Sequence, residues 1–157
     1  MTVSIALYQP DIAGNTGTLM RFGACMGVDI EIIEPAGFDL SDRSLKRAGM
    51  DYLDAARLIR HLDFSAFDQA RRASGRRLVL LTTKASEDYR DFAFGAEDIL
   101  LFGRESAGVP DHVHQTADER LTIPMAPGTR SLNLAVSAAM VTGEALRQLR
   151  RPLSLIS

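Results

Sequence analysis

The chain contains no tryptophan, three tyrosines, three histidines and a single cysteine, Cys25. One thiol cannot close an internal disulfide, so a disulfide scaffold is excluded and a reducing, cytoplasmic setting is expected. No apolar run approaches the roughly 20 residues of a membrane-spanning helix, and no membrane association is expected. Met1-Thr2-Val3 opens a strand-like segment instead of a signal peptide. Positive charge is not in excess either: 18 Lys and Arg against 20 Asp and Glu give a net charge of −2. That excludes indiscriminate polyanion binding and leaves room for a local basic patch. Three phosphate or nucleophile signatures are missing: G-x-G-x-x-G after the first strand, G-x-x-x-x-G-K-[ST], and G-x-S-x-G. His112-x-His114 has no cysteine and no clear third ligand nearby, so solvated histidines are expected and no metal site.

What is present reads as one ordinary globular domain over residues 1–157. Hydrophobic residues make up 46% and charged residues 24%, which is incompatible with disorder or a fibrous repeat. A chain of this size buries about 68–70% of its unfolded surface, enough for a sizeable core. Short apolar runs at Val3–Tyr8, Val28–Ile33, Arg77–Thr82, Asp98–Phe102 and Leu121–Ile123 are expected strands. The runs at 78–81 and 99–102 lack alternation, as strands covered on both faces do. Helices are expected after Asn15 as N-cap, from Asp42 to about Ala48, after Asp63 or Ser65 through Arg72, from Pro110, and from near Ser131 to about Leu149. Strands alternating with helices predict an α/β fold with a mainly parallel sheet. Cys25 is expected to fill space within an apolar helix, and His61 to be exposed.

Three segments follow strands and so fall at a sheet's carboxyl edge, where open α/β sheets bind ligands. Asn15-Thr16-Gly17-Thr18-Leu19-Met20-Arg21 follows the first. Its bland reading is a cap and a surface ion pair; its functional reading is an amide and a guanidinium facing a ligand. Phe102-Gly103-Arg104-Glu105-Ser106-Ala107-Gly108-Val109-Pro110 brackets a polar loop with glycines, where backbone can approach a ligand closely. A plain strand–turn–helix connector competes equally with that reading. Ile123-Pro124-Met125 leads through a Pro/Gly loop to Ser131-Leu132-Asn133-Leu134. Ser131 can cap the last helix, and an amide near a helix start needs a partner if buried.

Taken in order, Asn15-x-Gly17-x-x-x-Arg21, Gly103-x-Glu105-x-x-Gly108-x-Pro110 and Ile123-Pro124-Met125 with Ser131-x-Asn133-Leu134 resemble the three motifs of the SPOUT superfamily of RNA methyltransferases. The resemblance covers nearly the whole chain. It is strongest to the short enzymes that methylate the ribose 2′-oxygen of the tRNA wobble nucleotide, cytidine or uridine 34. Leu7-Tyr8-x-Pro10, Ile33-Glu34-Pro35-x-Gly37-Phe38, Leu45-Lys46-Arg47-Ala48-Gly49-x-Asp51-Tyr52 and Leu81-Thr82-Thr83-Lys84 match them further. Ala135-Val136 and Gly143 depart from the pattern, where those enzymes commonly carry Ser-Asn and Tyr.

The resemblance implies a Rossmann-like sheet whose C-terminal part forms a deep trefoil knot, a feature otherwise very rare. It implies S-adenosylmethionine held by Leu81, Gly103, Ile123 and Ser131, and catalysis carried by Arg21, Asn15, Glu105 and Asn133. It also implies a homodimer with the site near the subunit interface, and a tRNA anticodon stem-loop as substrate. Candidate RNA-facing cations are Arg43, Lys46 and Arg47; Arg71, Arg72, Arg76 and Arg77; and Arg147, Arg150 and Arg151. Methylation of ribosomal RNA or another tRNA position, and a non-catalytic RNA-binding protein on the same scaffold, are the alternatives.

Overall fold

The computed structural model describes residues 2–41, 43 and 57–149. Six strands, β1 (Ser4–Tyr8), β2 (Asp29–Ile33), β3 (Leu58–His61), β4 (Leu78–Leu81), β5 (Ile99–Phe102) and β6 (Glu119–Leu121), form one sheet in the order β3-β2-β1-β5-β4-β6. Every pairing is parallel. Among the described residues they are accompanied by the helices α1 (Ala13–Met26), α2 (Phe64–Ser74), α3 (Asp111–Thr116) and α4 (Leu134–Leu149).

Because side chains alternate across a strand, each strand feeds two cores. Ile5 and Leu7 of β1, Val79 and Leu81 of β4, and Leu100 and Phe102 of β5 pack with Leu19 and Met20 of α1 and Ala138 and Val141 of α4. The intervening Ala6, Tyr8, Leu78, Leu80, Ile99 and Leu101 pack on the other face with Phe67 of α2 and Val113 of α3. Both faces are covered, which is why 78–81 and 99–102 are uninterrupted apolar runs.

Several boundaries differ from the sequence reading. The first helix starts at Ala13, with Ile12 as an N-cap that makes no side-chain capping bond, so Asn15 lies inside the helix. Asp63 caps α2 through Ala66 N–H, as its position suggested. The last helix starts at Leu134, and Asn133, not Ser131, caps it: its Oδ1 accepts from Ala135 and Val136 N–H at 2.8 and 3.2 Å. Cys25 is exposed and fills no core space. Strand β3 has no apolar run to announce it, because it lies at the sheet edge. Its His61 is largely buried, bonded to Glu31 at 2.9 Å and edge-on to Phe67. The helix expected over 42–48 lies outside the described residues, apart from Arg43.

Candidate functional site

The carboxyl ends of β1, β4, β5 and β6 surround a cavity of about 540 Å³. Its walls are the loops that follow those strands and the start of α4. The size is within the roughly 300–1,000 Å³ of small-molecule sites. Leu81, Phe102, Ile123 and Leu134 line it with apolar surface, while Thr82, Ser131 and the 103–108 backbone add polar groups.

The 103–108 loop is held on itself. Arg104 N–H donates to the Gly108 carbonyl and Gly108 N–H to the Arg104 carbonyl, both at 2.9 Å. A Cβ on Gly103 would lie 2.6 Å from the Gly108 carbonyl carbon, and Gly108 itself sits at φ +65°. The fold therefore needs glycine at both ends of this loop.

A directional hydrogen-bond chain joins the three segments that looked informative in the sequence. Asn133 Oδ1 is committed to backbone N–H groups at the α4 start, so its Nδ2 must donate, and it does so to Asn15 Oδ1 at 3.0 Å. That leaves Asn15 Nδ2 as a donor, 3.3 Å from Glu105 Oε1. Glu105 Oε2 accepts from Asp11 N–H at 3.1 Å. The orientation of both amides thus follows from the helix cap. The Asp11 carboxylate beyond accepts from Ser106 Oγ and pairs with Arg104 Nη2 at 3.8 Å. Burial first, then hydrogen bonding with Asp11, pushes the Glu105 carboxyl above its usual range. Asp11 moves the other way, lowered first by hydrogen bonding with Glu105 and next with Ser106. Of the two carboxyls, Glu105 takes up a proton first as pH falls.

Leu81, Gly103, Ile123, Ser131, Asn15, Glu105 and Asn133 all line this one cavity. Arg21 does not; it lies on the exposed side of α1. Asp11 escaped the sequence reading, although an acid directly after Pro10 at the carboxyl edge of β1 was the available signal. The expected basic patch at 71–77 also needs correction. Arg71 is buried and bonded to Asp68 and Asp118, Arg76 bonds to Ser4 and two carbonyls, and Arg77 grips Asp98. These three hold the fold together instead of facing a ligand. Arg72 and Arg147 are exposed but paired with Asp68 and Glu144. Lys46, Arg47, Arg150 and Arg151 lie outside the described residues. Among the described residues, no three His, Cys, Asp or Glu side chains gather as a metal site, and no helix is long and apolar enough to cross a membrane.

Comparison with known proteins adds identity to this geometry. A tRNA (cytidine(34)-2'-O)-methyltransferase of Beijerinckia indica is 62% identical over 92% of this chain and 90% of its own. A solved structure described as giving insight into the 2-OH methylation of C/U34 on tRNA is 39% identical, with a TM-score of 0.88 over 94% of this chain and 96% of its own. An AdoMet-bound rRNA methyltransferase from Sinorhizobium meliloti is 29% identical, with a TM-score of 0.85 over 94% of this chain and 57% of its own. The model of the SpoU rRNA Methylase family matches residues 2–143, which carry every strand, the cavity and most of α4, and the chain belongs to that family.

Proposed function

We propose that this protein transfers a methyl group from S-adenosylmethionine to the ribose 2′-oxygen of the wobble nucleotide of tRNA, cytidine or uridine 34. The observation that carries the reading is the convergence of Asn15, Gly103, Glu105, Ile123, Ser131 and Asn133 on one cavity. It is supported by the names and coverage of the relatives.

The cavity suits the cofactor in size and in its mixture of apolar wall and hydrogen-bonding rim. Leu81, Gly103, Ile123 and Ser131 would hold it, and when bound it supplies a methyl group already activated by the sulfonium. The protein's remaining work is alignment and charge. Alignment of reactants contributes about 7–11 kcal/mol in well-oriented cases. Asn133 and Asn15 hold Glu105, and Glu105 holds the 103–108 loop through Asp11 N–H. Arg21 meets the ribose or its neighbouring phosphate, stabilising the developing alkoxide; a charged guanidinium has five N–H donors and no acceptor for a proton, so the proton leaves to phosphate or water.

The whole chain works as one methyltransferase domain in the cytoplasm, knotted in its C-terminal part. In support of the threading, the segment after β6 passes against the 87–89 loop, with Thr122 N–H donating to Glu87 and Tyr89 N–H to Thr122. The working form is a homodimer. Ile12, Leu132, Val136 and Met140 are 40–48% exposed; Val136 and Met140 lie one turn apart on α4, and Leu132 just precedes it. Such an apolar stripe favours burial against a second copy.

Nucleotide-resolved mass mapping of tRNA incubated with the protein and S-adenosylmethionine tests the activity. Methylation confined to ribose 34 is expected, and its loss in Arg21→Ala. Methyl transfer to another nucleotide, or none, overturns the reading.

A further inference from the structure

Arg104 stands apart from the other buried or half-buried arginines among the described residues. Arg71, Arg76, Arg77 and Arg120 each donate at least two hydrogen bonds inside the molecule. Among the described residues the Arg104 side chain donates none, and its Nε is buried without a partner. Its ionic neighbour among the described residues is Asp11, at 3.8 Å, whose Oδ2 already accepts from Ser106 and whose buried Oδ1 is unpartnered there. The backbone beneath it is fixed by the paired bonds to Gly108. The guanidinium is therefore aimed by Asp11 and anchored at its base, with its donors unspent. It lines the cavity together with Lys84 and His114. The one acid among the described residues on that wall, Glu105, has both oxygens engaged by Asp11 and Asn15.

We propose that Arg104 is a substrate-binding residue that grips an RNA phosphodiester beside the target ribose, with Asp11 as the resting counter-ion that holds the guanidinium ready. A planar fork of N–H donors matches two phosphate oxygens, whereas a lysine offers only a point charge. The inference rests on the functional reading above, since it takes RNA to be the substrate. It adds a residue that the motif resemblance does not assign.

The test measures binding of a tRNA anticodon stem-loop across a salt series, by the wild type, Arg104→Ala and Arg104→Lys. Calorimetry with S-adenosylmethionine alone runs in parallel. Losing one phosphate contact lowers the slope of log affinity against log salt by about 0.7–0.9. Arg104→Ala is expected to show that loss and a roughly tenfold weaker RNA affinity at low salt. Arg104→Lys is expected to regain the slope but not the full affinity. Cofactor affinity within about twofold of wild type in both variants shows the loop intact. An unchanged slope in Arg104→Ala overturns the proposal. So does a loss confined to cofactor binding, which would make the cofactor's carboxylate the anion held. Binding needs no turnover, so a wild type that binds the stem-loop but methylates nothing would sink the functional reading while the slope still judged Arg104.

Discussion

Arg77 and Arg104 are equally exposed, at 36% and 37% of their side chains, yet they live in opposite electrostatic regimes. Arg77, at the amino edge of the sheet, forks onto Asp98 at 2.9 and 2.7 Å, donates to the Ala93 carbonyl and lies over the Phe92 ring. Arg104, at the carboxyl edge, has a distant counter-ion and no side-chain hydrogen bond among the described residues. The amino edge repeats the pattern of Arg77. Arg71 joins Asp68 and Asp118, and Arg76 meets Glu31, which also accepts from Ser4 and faces His61. The guanidiniums of Arg71, Arg76 and Arg77 there are spent on neighbouring carboxylates. At the carboxyl edge the chain from Asn133 through Asn15 and Glu105 to Asp11 is ordered but ends in unfilled capacity. One edge maintains the fold and the other is built to receive a ligand.

The sharpest way to break this contrast is Arg71→Ala. It strips a buried guanidinium from Asp68 and Asp118, which are themselves only partly buried, and losing its hydrogen bonds costs roughly 1–3 kcal/mol. Urea denaturation should register that loss while the methyl-transfer kcat of the folded fraction stays near wild type. A large fall in kcat would show that the two edges are not separable.

Glu105→Gln attacks the other edge. Both partners of Glu105 are donors, so one of them must face the new amide N–H₂. Mispositioning of this kind can lower turnover by roughly 10²-fold. Stability should respond to pH in the opposite sense from an ordinary paired carboxylate. The folded pKa of Glu105 is raised, so its contribution is fully present below the unfolded value of 4.5 and falls as pH climbs through the folded value. Chemical denaturation from pH 4 upward should show a shallower decline in Glu105→Gln than in wild type.

Gly103→Ala is expected to cost about 1–3 kcal/mol, since its methyl group would press on Gly108 backbone that cannot rotate aside. Cofactor affinity, read by calorimetry, should fall with it. The smallest effect belongs to Glu144, held at a pKa of about 2, first by its bond to Arg147 and then by Gln148. Its contribution is present above pH 4.5 and is lost as pH falls from 4.5 through 2. Glu144→Gln should flatten only that acid limb of the stability curve, with neutral-pH activity unchanged.

The parallel sheet was readable because buried strands such as 78–81 and 99–102 are unbroken apolar runs bounded by polar residues. Edge strand β3, LIRH in sequence, carries too little apolar signal to be seen, and its His61 finds a partner only through the neighbouring strand's Glu31. Asn15 looked like a cap and proved to be a link between Asn133 and Glu105, because the bonds that define it reach across sequence separations of 118 and 90. Arg71, Arg76 and Arg77 failed as RNA-facing cations for a related reason: sequence counts charges, and whether a charge is free depends on which carboxylate the fold sets beside it. Asp11 was passed over on the same account, its significance lying wholly in contacts with 104–106.

Local chemistry and residue order alone settled the alternation of strands and helices, the glycines at 103 and 108, and the family pattern carried by the three loops. Periodicity, turn preference and motif spacing are properties of neighbours along the chain. Tertiary structure alone decided that those loops share one cavity, that Arg71, Arg76 and Arg77 are consumed internally, and that Arg104 is not. Hydrogen-bond saturation is a matter of distances between residues far apart in the chain, and only folding sets those distances.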